Sequence, residues 1–435
     1  MRKTMLDSKF IREYRMLVQN AIEDKGVDLD LEELLSLDDK RRELQQEVED
    51  IRRQRKEYAS YLKGELSEEE KQEYQQKGKE LKKELQAKED ELNGMEERFQ
   101  TLMYHVPNIY SEDSPVGEDD SANVTIKTVG DVPEFSFEPA DHIQLGENLG
   151  LIDFESGVNI SGSRGYVLTN EAVNLHYALL WYSLQHMQKR GFMPVSTPTI
   201  VKGAHLYSSG HFPTEKDEAY KVEDASTERE SRYLAGTSEI AILGMYQNAV
   251  FAAEDLPKRV SAISPCYRSE VGSYGKDTQG LYRMHEFMKV EQFVISPGNV
   301  RESDFLHHEM LTFSEEIMRA LELPYRVVQV STGDMGPPKY KQYDIETWMP
   351  SRNDYGETHS TSNITDWQAR RANIKYVAED GKKYYAHTLN NTAIASPRML
   401  IAILENYQNA DGSVTVPEVL RPYVGKERIA VASSE

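Results

Sequence analysis

Between Ser264 and Phe293 the chain reads SPCYRSEVGSYGKDTQGLYRMHEFMKVEQF, and its second half alternates polar and apolar residues. A period of two predicts a half-buried strand. Arg283, His285, Phe287, Lys289 and Glu291 then point to one face, and Met284, Met288, Val290 and Val294 to the other. The apolar face belongs to a core. The other face sets ionisable groups in a row around an aromatic ring, and a central strand buries such groups only when they have partners. Arg268 and Glu270 lie on the preceding segment, and a glycine-rich turn from Val271 to Gly280 folds the two segments into an antiparallel hairpin. Arginines, carboxylates and an aromatic on one surface suit a nucleoside triphosphate together with a zwitterion. A sheet face laced with ion pairs is the plainer alternative; the aromatic in the middle of the charges argues against it.

Further stretches carry groups of the same kind. Gly236–Glu239 reads GTSE after a short predicted strand over 231–234 and at the start of a helix. Thr237 or Ser238 can cap that helix, with Glu239 well placed at the positive end of its dipole, and capping alone accounts for the residues. Downstream, DIETWMP alternates as a strand, and GETHSTSN after it brings a carboxylate and several hydroxyls together. Oxygen donors of this kind suit Mg²⁺, although a polar loop rich in turn-forming serines reads the same way. Last, Tyr384–Leu389 is predicted as a strand and Pro397–Gln408 as a helix, with Pro397 in its first turn. Arg398 then stands near the helix amino terminus, where a cation opposes the macrodipole and a bound anion would resolve the conflict.

The arginine, the flexible loop and the run R-x-H-x-F-x-K-V-E closely resemble motif 2 of class II aminoacyl-tRNA synthetases, in the version carried by seryl-tRNA synthetases. The stretch from His387 to Gln408 resembles motif 3, and the helix over 170–189 with the proline-bearing strand after it resembles motif 1, which builds the dimer interface in that class. The resemblance implies an α+β protein: a class II catalytic domain on an antiparallel sheet flanked by helices, following an amino-terminal helical arm. It implies ATP and L-serine as substrates, Mg²⁺ with the nucleotide, and tRNA(Ser) as acceptor; whether a tRNA(Sec) is also charged stays open. Carried over residue by residue, Arg268 meets the α-phosphate and the serine carboxylate, and Phe287 stacks on adenine. Arg283 and Arg398 face the outer phosphates, Ser269 and Glu270 complete the nucleotide site, and Arg268 and Arg398 are the catalytic pair. Glu357 and Ser360 hold the metal, while Thr237, Glu239, Glu291, Asn390 and Thr392 join Arg268 around serine. His359 is a bystander, and GSRGYVL, although it matches the family, is assigned no chemistry.

The rest of the chain must position these groups. Its 435 residues suffice for two or so domains with a large core. A formal net charge of −22 argues against nucleic-acid binding through bulk electrostatics but not through a local basic stripe. The single cysteine, Cys266, excludes an intrachain disulfide and a multi-cysteine zinc site. No run approaches the length of a membrane span and no secretory h-region is present, so the expected compartment is the cytoplasm. Walker and Rossmann glycine loops are absent, which leaves arginines on a sheet to hold ATP. From Asp39 to Lys63 and from Glu68 to Tyr104 the residues are charged or leucine-like and free of proline. Leu44, Val48, Ile51, Tyr58 and Leu62 in the first run follow a heptad, as do Tyr74, Leu81, Leu85, Leu92, Met95, Phe99 and Leu102 in the second, weakened at Gly78 and Lys88. A capping box from Ser67 to Glu70 starts the return helix. The expected architecture is an antiparallel coiled-coil arm about 39–104 within a domain 1–110, a proline-bearing linker 111–131, and a catalytic domain 132–435. Arg52, Arg53, Arg55 and Lys56 on one helix and Lys77, Lys79, Lys82 and Lys83 on the other form a cationic patch suited to phosphates. A dimerisation or spacer coiled coil is the alternative; the resemblance implies tRNA.

Overall fold

A computed structural model describes residues 7–64, 66–223, 231–271 and 279–430. Most of the glycine-rich turn expected over 271–280 therefore lies outside the described residues. The chain divides into two compact units, one built from Leu6–Glu23 and Val27–Val106, the other chiefly from Pro107–Glu435. Among the described residues no helix is long and apolar enough to cross a membrane.

The first unit is helical. Helices Ser8–Glu13 and Arg15–Asp24 lead into α1 (Leu31–Tyr61) and α2 (Glu68–His105). α1 starts at Leu31, ahead of the heptad pattern, because the Asp30 carboxylate accepts from the N–H groups of Glu32 and Glu33 at 2.9 and 3.0 Å. α2 starts on the expected capping box: the Ser67 N–H donates to Glu70 at 2.8 Å, and the Glu70 N–H returns to the Ser67 hydroxyl at 3.3 Å. The heptad positions meet across the pair, with Val48, Ile51 and Leu85 buried against Leu81 and Leu92. Lys88, a weak point of the heptad, instead pairs with Glu47 at 2.6 Å. Arg52 with Glu89 and Arg98 with Glu33, each at 2.7 Å, hold the antiparallel alignment. That alignment sets 52–56 and 79–83 at matching heights, so the two basic clusters share one stretch of the hairpin. At a rise of about 1.5 Å per residue, α2 alone runs for roughly 57 Å.

The second unit is built on an eight-stranded sheet. In chain order its strands are β1 (Val124–Val129), β2 (Met193–Val195), β3 (Lys258–Tyr267), β4 (Glu286–Ser296), β5 (Tyr325–Gln329), β6 (Lys341–Met349), β7 (Asp354–Thr365) and β8 (His387–Ser396). Across the sheet they run β1, β5, β6, β7, β8, β4, β3, β2. The pairs are antiparallel except at the edge, where β2 runs parallel to β3. Four helices matter to the site: α3 (Glu171–Lys189), α4 (Ser238–Met245), α5 (Val300–Ala320) and α6 (Arg398–Asn406). Val290 and Val294 of β4 join Leu179 and Met187 of α3, Met310 of α5 and Ile403 of α6 in the main core. Phe293 and Ile295 face the other way, packed with Ile242 and Leu243 of α4. Each such side chain contributes about 1.5–3 kcal/mol on burial. β4 is thus held from both sides, and only the start of its odd-numbered face is left to form a cleft.

Some expectations shift. The strand expected after α3 is broken into β2 and a separate strand Ile200–Lys202 in a small three-stranded sheet; Pro198 falls in the gap, where it has no N–H to continue a ladder. Val124–Val129, inside the expected linker 111–131, forms the edge strand β1 against β5. The polar run GETHSTSN belongs to β7, a central strand and not a loop. Arg283 and His285 precede β4 instead of lying in it, although His285 still accepts the Arg268 N–H on its carbonyl at 3.0 Å, extending the hairpin.

Candidate active site

On the sheet face shared by β3, β4, β8 and β7 lies a cavity of about 510 Å³. The register explains which residues meet there. Glu291 of β4 lies opposite Ala262 of β3 and Thr392 of β8, with a register shift between Val290 and Glu291. Ser362 of β7 lies opposite Asn390 of β8, and Asp344 of β6 opposite Ser360 of β7. Side chains from 16 to about a hundred positions apart in the chain are thus brought to one surface.

One end of the cavity is acidic and closely hydrogen bonded. Lys289 pairs with Glu291 and donates to the Thr237 hydroxyl at 2.8 Å. The same hydroxyl accepts the Glu239 N–H at 3.3 Å, so Thr237 is a helix cap and a wall of the cavity at once. Glu239 accepts from the Gln368 amide at 2.6 Å and the Asn390 amide at 2.8 Å. Burial pushes the Glu291 carboxyl up to about 7; Lys289 opposes the rise and Glu239 adds to it. Lys289 pairs with Glu291 while Glu239 is held by two neutral amides, so an incoming cation would meet acidic partners at this end.

The other end is cationic. The Arg268 guanidinium stands 5.4 Å from the centre of the Phe287 ring. Arg283 pairs with Glu270 at 3.2 Å. Arg398, the first residue of α6 after Pro397, donates to the Glu357 carbonyl at 2.7 Å and to the Tyr282 carbonyl at 3.2 Å, and lies 4.3 Å from the Tyr282 ring centre. Burial would raise the Glu357 carboxyl, but Arg398 and Arg268 outweigh it and hold it below the usual carboxylate range. Its anionic form is therefore available to a cation beside the arginines.

Of the expected residues, Thr237, Glu239, Arg268, Glu270, Arg283, Phe287, Glu291, Glu357, Ser360, Asn390, Thr392 and Arg398 line this one cavity. Ser269 does not: its hydroxyl donates to the Asp217 carbonyl at 2.7 Å and its N–H to the Glu218 carbonyl at 3.0 Å, which turns it away. The arm cations lie in the other unit. There Arg52 is held by Glu89 and Arg53 by Asp50, while Lys56, Lys79, Lys82 and Lys83 are exposed and Arg55 is half-buried. Sequence reasoning missed Lys289 as an organiser of the acidic end, Gln368 as the second amide on Glu239, and Asp344. The Asp344 carboxyl, buried and facing Glu357, is pushed up to about 7 by both; it accepts from the Gln342 amide at 2.9 Å, and that amide also donates to Ser360 at 3.0 Å. Only Lys289 carried a signal, as a charge on the same face as Phe287 and Glu291.

The seryl-tRNA synthetase N-terminal domain model matches residues 5–110, and the class II tRNA synthetase core domain model (G, H, P, S and T) matches residues 220–407. The serine–tRNA ligase of Treponema denticola is 43% identical over 428 residues, covering 98% of this chain and 100% of that protein. This chain belongs to the seryl-tRNA synthetase family. The serine–tRNA ligase of Deinococcus radiodurans is similar at 44% identity, covering 98% of this chain and 99% of its own. Among solved structures, seryl-tRNA synthetase from Pyrococcus horikoshii complexed with ATP superposes with a TM-score of 0.88 at 37% identity, over 99% of this chain and 100% of that one. Family membership accounts for the pairing of a coiled-coil unit with an antiparallel class II sheet.

Proposed function

We propose that the chain is an ATP-dependent serine–tRNA ligase, forming seryl-adenylate and then esterifying tRNA(Ser). The observation that carries this reading is the polarity of the cavity: carboxylates Glu239 and Glu291 at one end, arginines 283 and 398 at the other, and Arg268 with Phe287 between. Such a cleft accepts an ammonium at one end and a polyphosphate at the other, with Arg268 at their junction. In the first step an oxygen of the serine carboxylate bonds to the α-phosphorus as the bond to the leaving pyrophosphate breaks. In the second, a hydroxyl of the terminal tRNA ribose attacks the serine carbonyl, and AMP leaves. No protein nucleophile is needed; Arg268 orients both reactants and neutralises charge that grows on the α-phosphate oxygens. Thr392 and Asn390 bound the serine side chain, and a site built to hydrogen-bond the hydroxyl rejects alanine because its polar groups would be left unpaired.

The donors present fit Mg²⁺. Glu357 is held as a carboxylate facing the cavity and Ser360 offers a hydroxyl, and an octahedral ion taking most of its ligands from phosphates and water needs only one or two from protein. Among the described residues no group of three or more His, Cys, Asp or Glu could hold a metal, which fits an ion that arrives with its nucleotide. Bound there, it would neutralise phosphate charge and fix the polyphosphate conformation. Exposed Tyr177 and Trp181 on α3 and Met193 on β2 support a homodimer through this face. The basic patch of the arm supports tRNA as its partner.

The expected result is ATP–pyrophosphate exchange that requires serine and proceeds without tRNA, since every residue that lines the cavity lies in the second unit. Exchange driven by a different amino acid would reject the substrate assignment. A pH dependence follows from Glu291. An incoming ammonium favours its ionised form, so serine binding releases a proton below pH 7. Affinity should rise with pH up to about 7, by at most about tenfold per unit, and level off above. Calorimetry in buffers of different ionisation enthalpy reads that proton directly; an affinity flat from pH 5.5 to 8 would show that Glu291 is already ionised.

A further inference from the structure

We infer that His142 and Glu405, which lie outside the substrate contacts, are positioning residues for the phosphate-facing wall of the cleft; this rests on the function proposed above. Glu405 is a fully buried carboxylate on α6. Its Oε1 accepts from the His142 N–H at 3.0 Å, from His142 Nδ1 at 2.8 Å and from the Ser351 hydroxyl at 2.8 Å, and its Oε2 accepts the Ser351 N–H at 2.9 Å. Two different segments are thereby tied to one carboxylate. Across the imidazole, Nε2 accepts the Leu281 N–H at 3.1 Å. That bond identifies the tautomer: the proton sits on Nδ1, donated to Glu405, and Nε2 is a bare acceptor.

What these bonds hold is Tyr282. Leu281 precedes it and Ser351 precedes Arg352, so Glu405 sets both partners of one stack. Arg352 lies 4.2 Å from the Tyr282 ring centre and Arg398 lies 4.3 Å from it. The Tyr282 carbonyl in turn accepts from Arg398 Nε at 3.2 Å. The relay therefore runs from the carboxylate through the imidazole to the Leu281 N–H, then through the next peptide to the guanidinium that faces the cavity. Packing leaves no slack, because a Cβ added to Gly280 would stand 2.2 Å from His142 Nε2. Without the imidazole the buried Leu281 N–H loses the acceptor that fixes it, and the backbone at 281–282 loses that anchor.

The two ring nitrogens can be tested apart. In His142→Asn the amide can still donate to Glu405 but does not reach Leu281; in His142→Gln the side-chain carbonyl reaches the place of Nε2. Expected for His142→Asn is a fall of about 30-fold in kcat of serine-dependent ATP–pyrophosphate exchange per active site, counted by the adenylate burst, with KM for serine within about threefold. His142→Gln should restore kcat to within about threefold of the parent. A purely structural role predicts instead that both variants lose active fraction and thermal stability while kcat per titrated site stays at the parent value, and that result overturns the inference. If His142→Asn does not fold, His142→Gln with kcat down tenfold or more at a parental melting temperature would equally overturn it. Ser351→Ala, which removes only the hydroxyl bond to Glu405, should then show a several-fold loss of kcat, and parental kcat there would also count against it. Absence of serine-dependent exchange in the parent chain overturns the functional reading first and this inference with it.

Discussion

Replacing Arg268 by alanine is expected to lower serine-dependent exchange by about a thousandfold or more while leaving the fold intact. The two halves of this expectation come from different observations. Arg268 is exposed on the cavity wall, and its guanidinium stands 5.4 Å from the Phe287 ring centre. A cation–π contact at such a site is worth about 0.5–1 kcal/mol, which for a unit of this size moves the melting temperature by only about 1–4 °C. Against that stands the guanidinium at the junction of the acidic and cationic ends, where under the proposed function the charge of the reacting phosphate develops. Exchange kinetics beside a thermal melt decide the matter. A variant that exchanges normally, or one that unfolds, would overturn the placement of Arg268 against substrate.

The same contrast shows how much was legible in the sequence. Period two in RMHEFMKVEQF sorted Phe287, Lys289 and Glu291 from Met288, Val290 and Val294 correctly, because successive side chains of a strand point to opposite faces, although β4 is buried on both and not half-buried as its pattern predicts. The capping box at Ser67 and the heptads of the arm were legible because they depend on residues near one another in the chain. What depended on strand register or on packing between separate elements was not legible. Asp344 reaches Ser360 only through the pairing of β6 with β7, and Gln368 reaches Glu239 across 129 positions. Ser269 carried a plausible role by its place beside Arg268, yet its backbone and hydroxyl are claimed by the turn at 216–218, which no local pattern announces. The polar run at 356–363 carried no strand signal, since its neighbours in the sheet, not its own composition, bury it. His142 gave no signal at all: its partners at 281 and 405 are each more than a hundred residues away.

Deleting residues 39–104 and bridging the gap with a short linker should leave serine-dependent exchange within about threefold of the parent and weaken transfer to tRNA by about two orders of magnitude or more. Every residue that lines the cavity lies in the second unit, while the deleted helices bury their seam against each other, Val48 and Ile51 on Leu85. Substituting alanine at Arg52, Arg53, Lys82 and Lys83 should act in the same direction more mildly and flatten the salt dependence of tRNA affinity, because fewer counterions leave on binding. The shares should be unequal. Arg52 and Arg53 are engaged with Glu89 and Asp50, so part of their attraction for phosphate is already offset, whereas Lys82 and Lys83 stand exposed. Exposed pairs of this kind are worth at most about 1 kcal/mol, so a phosphate can displace them, but the lysines should account for more than half of the change in salt slope. If the hairpin were instead the dimerisation device, deletion would yield a monomer that has lost exchange along with transfer. Sedimentation of the deletion variant beside both assays separates the two: a dimer active in exchange and poor in transfer places tRNA on the arm, and an inactive monomer removes it.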